Sequence, residues 1–288
     1  MNCKTKAIKV QSNLTCENKV KIGAISILVA LLFAPVIMEL IGAWSSRDDY
    51  SHGFFVIPIA LYMVWQKREE LLRFPLAPLG IGLPLLAGAT TIYVVSVLAK
   101  FHTLSHISMV IVLLSLVLFF AGWKVSKALL LPVLFLLFMF PIPSAYYVLV
   151  TNPLKLFITK ISMEIIHLMN IPVYREGNLL FLASTQLEVA EACSGIRSLY
   201  SYLMLACLFA FMSRKRISKT VLLISTVPLA FLVNIVRVTG TGVLADFFGS
   251  EVAHGFFHQF TGLVLFVFGF VVLFLEYHFL ESHSPQRQ

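Results

Sequence analysis

The sequence predicts an all-α polytopic membrane protein, a bundle of about eight transmembrane helices with a small extracytoplasmic amphipathic-helix and hairpin element. Three observations predict it. Of 288 residues, 59% are hydrophobic and only 12% are charged, whereas a soluble domain carries about 25% charged residues. Apolar runs long enough to span a bilayer recur along the chain. Lys and Arg alternate between rich and poor in successive connecting segments.

Taken in order, the apolar segments are 22–44, 52–66, 78–99, 103–121, 126–140, 192–212, 219–243 and 257–280. The second and fifth are short. SSRDDYSHG separates the first two, and QKREELLRFPLAP separates the second from the third. The first run is longer than a signal-peptide core and no small-residue cleavage site closes it, so it reads as a signal anchor. No apolar run precedes LTC at Leu14–Cys16, so lipid modification of Cys16 is not expected. Without tandem repeats or a polar second domain, residues 1–288 read as one integral membrane domain, with 1–21 its cytoplasmic basic tail.

The four cysteines do not form a disulfide framework. Cys3 and Cys16 lie in the tail, and Cys193 and Cys207 share one apolar segment. At ~1.5 Å per residue, the latter two stand about 21 Å apart along a helix, too far to bridge. The net charge of +8 reports topology rather than nucleic acid, and no nucleic-acid partner is expected. With the N-terminus in the cytoplasm, the inner segments hold Lys4, Lys6, Lys9, Lys19 and Lys21; Lys67, Arg68 and Arg73; Lys124 and Lys127; Arg214, Lys215, Arg216 and Lys219; and Arg287. These are 15 of the 22 basic residues, which predicts an even number of spans and both termini inside.

The longest connection, 141–191, then falls outside. In NPLKLFITKISMEIIHLMNI, residues Leu154, Phe157, Ile158, Ile161, Ile165 and Ile166 recur at helical spacing, with Lys155, Lys160 and Glu164 between them. This predicts an amphipathic helix that lies in the membrane surface. After Pro172, VYREGNLLFLASTQLEVAEA reads as a hairpin-like element with its turn at Gly177–Asn178.

This topology brings polar groups from three regions to one depth. Cys193 and Arg197 begin the sixth segment, Asn234 and Arg237 lie toward the outer end of the seventh, and His254 and His258 precede or open the eighth. An arginine within an apolar segment is a functional-site candidate, the other reading being a side chain that snorkels to headgroups. Cys193 alone fits a small packing residue. A nearby Arg and a helix N-terminus would both favour its thiolate, the nucleophilic form. Ser194 and Gly195 permit close backbone approach, where free N–H groups bind an oxyanion.

His258 is the candidate acid–base group and His254 its rival. Their four-residue spacing suits a metal pair, but no HExxH or CxxC accompanies it and no metal is expected. Gly262, one turn after His258, lets a neighbouring helix approach. His52 lines the same site or is a structural interfacial group beside Tyr50. Glu188 and Glu191 hold the loop before Cys193 or pair with Arg197. Glu39 is a candidate partner for an intramembrane Arg.

Together VYREGNLL, LEVAEACSGIRSL, the NxxR of Asn234–Arg237 and the GxxHxxxG of Gly255–Gly262 resemble the exosortase/archaeosortase family. YSHGFF and the segment to Trp65 resemble its first part, so the likeness spans roughly 44–270. It implies a membrane-embedded cysteine protease and transpeptidase. Its substrates would be exported proteins ending in a motif of the Pro-Glu-Pro type, a transmembrane helix and a basic cluster (PEP-CTERM signals). The family's Cys, Arg and His fall on Cys193, Arg237 and His258, with Arg197 at a less central position. Archaeosortases usually have Arg where His258 stands, so the bacterial branch, and hence a bacterial inner membrane with the site on its outer face, is implied. Membrane lipid and a link to exopolysaccharide export are further expectations, and no cofactor is needed.

Two other classes stay open. A transporter or lipid-handling protein would bind an anionic group through Arg237 and His258, although no two-half repeat is evident. A structural subunit of a polysaccharide export assembly would tolerate replacement of every polar residue named.

Overall fold

The computed structural model describes residues 16–47, 50–183, 185–189, 195–249 and 256–282. Six helices come first: α1 (Cys16–Ser46), α2 (Gly53–Gln66), α3 (Arg68–Arg73), α4 (Gly82–Leu98), α5 (His102–Ala121) and α6 (Trp123–Phe135), the last running into a 3-10 turn at Leu136–Met139. Then follow α7 (Ser144–Leu168), a three-stranded sheet of β1 (Val173–Glu176), β2 (Leu179–Leu182) and β3 (Gln186–Glu188), and α8 (Ile196–Met212), α9 (Arg216–Phe248) and α10 (Phe256–Ser282).

Four stretches, Gly23–Ser46, His102–Ala121, Arg216–Phe248 and Phe260–Ser282, are long and apolar enough to cross a membrane. Gly53–Gln66, Gly82–Leu98 and Ile196–Met212 are apolar but shorter. The chain is therefore a multi-pass helical membrane protein. Its outward face is apolar too: Leu28, Leu31, Phe268 and Leu275 are all exposed, as suits helices whose solvent is lipid. Helices close on one another through residues without side chains. A Cβ at Gly82 on α4 would lie 2.6 Å from the backbone nitrogen of Phe119 on α5, the close approach that small residues permit between membrane helices.

Each predicted apolar segment coincides with a helix, with one modification. The 126–140 segment divides, because its α-helix ends at Phe135 and tightens into the 3-10 turn. Pro132 lies in its last turn, where it removes a backbone donor. The connection after α2 contains α3, a one-turn-and-a-half helix whose Glu69 and Glu70 face Arg73 and Lys67 at 4.0 and 3.9 Å.

Three apolar clusters organise the interior. The first joins α1, α2, α4, α5, α6 and the 3-10 turn around Phe33, Leu40, Met63 and Phe135. The second joins α7, the sheet and α9 around Ile158, Ile166, Leu180 and Val238. The third joins α8, α9 and α10 around Tyr202, Leu222 and Leu273. Helix α9 belongs to both the second and third, and the polar residues of interest lie between its two packed faces.

The connection after the 3-10 turn is helical earlier than expected, since α7 begins at Ser144 and carries Pro153 inside it. Ile158 and Ile166 are buried, as the spacing predicts, but Phe157 is exposed. The buried face is completed by Thr151, Thr159 and Ser162. These small side chains let α7 pack lengthwise on α9: Ser162 Oγ donates to Ile235 O at 3.5 Å, and Ile166 Cδ1 would lie 2.7 Å from a Cβ at Gly242. A helix so packed runs beside α9, a contact that the amphipathic pattern alone did not specify. The hairpin reading holds. β1 pairs with β2 across Glu176↔Leu179, leaving Gly177–Asn178 as a two-residue turn. Gly177 has φ +62°, the positive value a type II′ turn needs at its first central residue. β3 adds antiparallel to β2 and completes a meander.

Candidate active site

Helix α9 runs unbroken from Arg216 to Phe248. At ~1.5 Å per residue, Arg237 stands about 30 Å from Arg216, one hydrocarbon thickness away. If the basic cluster Arg214–Lys219 marks one membrane boundary, that distance sets Arg237 at the opposite one, where a cation is least costly. Asn234 lies one turn earlier on the same side of the helix.

Two close approaches fix what these side chains face. Gly195 caps α8 in the left-handed region, with φ +82°. A Cβ there would lie 3.0 Å from Asn234 Nδ2, so the amide occupies the space a side chain would take. On the other flank, a Cβ at Gly262 of α10 would lie 3.0 Å from Arg237 Nη2 and 3.2 Å from its Cζ. The guanidinium thus rests on the bare backbone of α10 one turn beyond His258. Asn234 is 1% exposed, and Arg237 is half-buried with Nε enclosed. The start of α8, the middle of α9 and the first turns of α10 therefore meet around Asn234 and Arg237.

Of the residues named from sequence, Asn234, Arg237 and Gly195 are brought together. Arg197 is half-buried in the first turn of α8, directly after Gly195. His258 belongs by its backbone to the first turn of α10, and its side chain lies outside the described part. Cys193, Glu191, Ser194 and His254 lie outside the described residues.

The chain that leads toward Cys193 is held by Asn178. Its carbonyl accepts from Val189 N at 2.9 Å, and its Nδ2 donates to Val189 O at 3.2 Å and Glu188 Oε1 at 3.3 Å. Glu188 thus holds the approach to the loop, one of its two expected roles. Asn178 looked from sequence like a turn residue only.

His52 joins the same end of the bundle. Its Nε2 lies 3.1 Å from Phe138 O, so this nitrogen carries the proton and donates. Its ring meets Tyr200 edge-on at 5.2 Å, and Tyr200 donates through its hydroxyl to Leu137 O at 3.2 Å. Tyr200 lies one turn after Arg197, so this aromatic contact ties α2 and the 3-10 turn to the beginning of α8. Nothing in the pattern of residues singled out Tyr200.

Among the described residues, Glu39 faces two histidines and no arginine. Its Oε2 accepts from His102 Nδ1 at 2.8 Å, and its Oε1 lies 3.9 Å from His106 Nε2. An HxxxH spacing on α5 brings both imidazoles to one carboxylate, a pairing visible only once α1 and α5 are side by side. Among the described residues, no group of three or more His, Cys, Asp or Glu is arranged to hold a metal ion.

A family model described as Transmembrane exosortase matches residues 44–275. No curated protein and no solved structure matches the chain.

Proposed function

The chain belongs to the transmembrane exosortase family, and from that premise we propose that it is a membrane-embedded cysteine protease and transpeptidase. It acts on C-terminal sorting signals of the PEP-CTERM type in exported proteins. It has eight spans with both termini in the cytoplasm of a bacterial inner membrane, and its site opens at the extracytoplasmic face. The observation that carries the reading is the convergence of motif-bearing segments. Gly195 rests against Asn234, and Gly262, one turn after His258, rests against Arg237.

The substrate helix docks in the bilayer with its motif at the outer boundary. The Cys193 thiolate attacks the scissile carbonyl carbon, and the C–N bond breaks as His258 gives its proton to the leaving amine. Arg237 stabilises the thiolate or the oxyanion that forms during attack, in a place where water is scarce and charge interactions are strong. The thioester on Cys193 is then opened by an amine or by water, whose proton His258 takes. Arg197, Ser194 and Asn234 shape the nucleophile's loop. No step calls for a metal or organic cofactor.

Co-expression of such a substrate with wild type and Cys193→Ala, followed by gel shift and mass spectrometry, tests this. Cleavage ahead of the substrate helix by wild type alone is expected, and the new C-terminal mass identifies the acceptor. Equal processing by both proteins would remove Cys193 as nucleophile and favour an anion-binding transporter or lipid-handling role for Arg237 and His258.

A further inference from the structure

The Glu39–His102 pair lines a groove between α1, α4 and α5, with a volume of about 180 Å³. That is roughly six waters' worth of space. Lys100, in the turn between α4 and α5, lines the same groove. Its ammonium forms no ion pair among the described residues, and Glu39 Oε1 accepts no hydrogen bond there. His106, 3% exposed and stacked on Phe140 at 4.8 Å, points Nε2 at that same oxygen from 3.9 Å without a hydrogen bond of its own. A carboxylate oxygen and an ammonium thus line one cavity without reaching each other. Both groups are open to the surface, Glu39 with 39% of its side chain exposed and Lys100 exposed, so a ligand that carries both signs can set its cation at Glu39 and its anion at Lys100.

The walls show which zwitterion. Pro35, Val36, Val97 and Phe101 supply apolar surface; Phe101 is 60% exposed and Leu98, next to Val97 in the chain, is 79% exposed. The helices on either side, α1 and α5, both contain membrane-crossing stretches. We propose that this groove binds the headgroup of a zwitterionic phospholipid bearing a primary ammonium, the phosphoethanolamine class. The ammonium donates to Glu39 Oε1, and the phosphate meets Lys100 and the outer edge of His102. A choline headgroup has no N–H to donate, and a purely anionic headgroup sets a second negative charge beside Glu39.

The groove lies at the same end of the bundle as the candidate active site. His106 stacks on Phe140, while Met139 O accepts from Trp44 Nε1 at 2.9 Å and Phe138 O accepts from His52.

The test uses the full chain in mild detergent, titrated with dihexanoyl phosphatidylethanolamine, phosphatidylcholine or phosphatidylglycerol and followed by thermal shift and native mass spectrometry. Saturable binding of the ethanolamine lipid is expected, at least tenfold tighter than the other two. Glu39→Gln and Lys100→Ala should each weaken it about tenfold. Glycerophosphoethanolamine, which has no acyl chains, separates the sources: weak binding assigns a lipid, and equal binding assigns a soluble phosphoethanolamine compound in place of the lipid. Equal affinity for ethanolamine and choline lipids, or unchanged affinity in both variants, would overturn the assignment. Should Glu39→Gln fail to fold, Lys100→Ala at its exposed position and the headgroup comparison on wild type still decide.

Discussion

Gly262→Ala isolates the role of Arg237 because the substitution touches little else. The new methyl carbon would stand 3.0 Å from Nη2 and 3.2 Å from Cζ. Ordinary contact between such atoms is about 3.5 Å, so the guanidinium must retreat by roughly half an ångström. A misplacement of about 1 Å in a group that positions or stabilises a reacting atom costs on the order of 100-fold, so about half that distance costs roughly tenfold, near 1.4 kcal/mol of barrier. Gly262→Val, with two further methyls, should cost about 100-fold or more. Helix stability changes the other way, since Gly→Ala in a helix interior is worth about 0.5–1 kcal/mol in favour of Ala. The expected signature is thus a slower enzyme with an equal or higher Tm. Single-turnover cleavage of a signal-bearing substrate in proteoliposomes gives the rate, and a thermal-unfolding scan of the same preparation gives Tm. Wild-type cleavage by a stably folded Gly262→Val would show that the position of Arg237 does not matter to the reaction.

Three further substitutions probe other contacts. Gly195→Ala forces a side chain into φ +82° at about 1–2 kcal/mol and presses on Asn234, so Tm and cleavage should fall together, and Gly195→Ala with Asn234→Ala should recover part of the Tm loss. Tyr202→Phe removes a hydroxyl that bonds Leu265 O and Phe266 O on α10 at 3.1 and 3.2 Å; a stability loss of about 1 kcal/mol with an unchanged cleavage rate is expected. Asn178→Ala removes both side-chain bonds to the strand that leads toward Cys193, so cleavage should fall several-fold and the Val189 amide should exchange faster in hydrogen-exchange mass spectrometry, with Tm lowered by only a few degrees.

The helices and the hairpin were legible because their signals are local and repeated: apolar length and the Gly-Asn turn each act within a few residues of where they are read. The two short segments, 52–66 and 126–140, are those where the helix is short or tightens into a 3-10 turn. The convergence on Asn234 and Arg237 was also legible, since topology alone set three polar regions at one depth. What could not be read was which group touches which. Nothing in the spacing of Glu39 distinguishes an arginine partner from His102, because that choice depends on how α1 sits against α5. Likewise Ser162 and Thr159 look like polar interruptions of an apolar stripe until α9 lies over them.

The two glycines of the site carry the same lesson in a form that sequence almost supplies. Gly195 and Gly262 lie on different helices, and each is bare where a polar side chain of α9 needs room. Gly242, farther along α9, does the reverse and makes room for Ile166 of α7. Helix α9 therefore meets α8 at Asn234, α10 at Arg237 and α7 at both Ile235 and Gly242. A polar pair held this way, between two apolar clusters, has few ways to turn aside. That rigidity suits the charge-stabilising role proposed for Arg237, on the one helix that both clusters share.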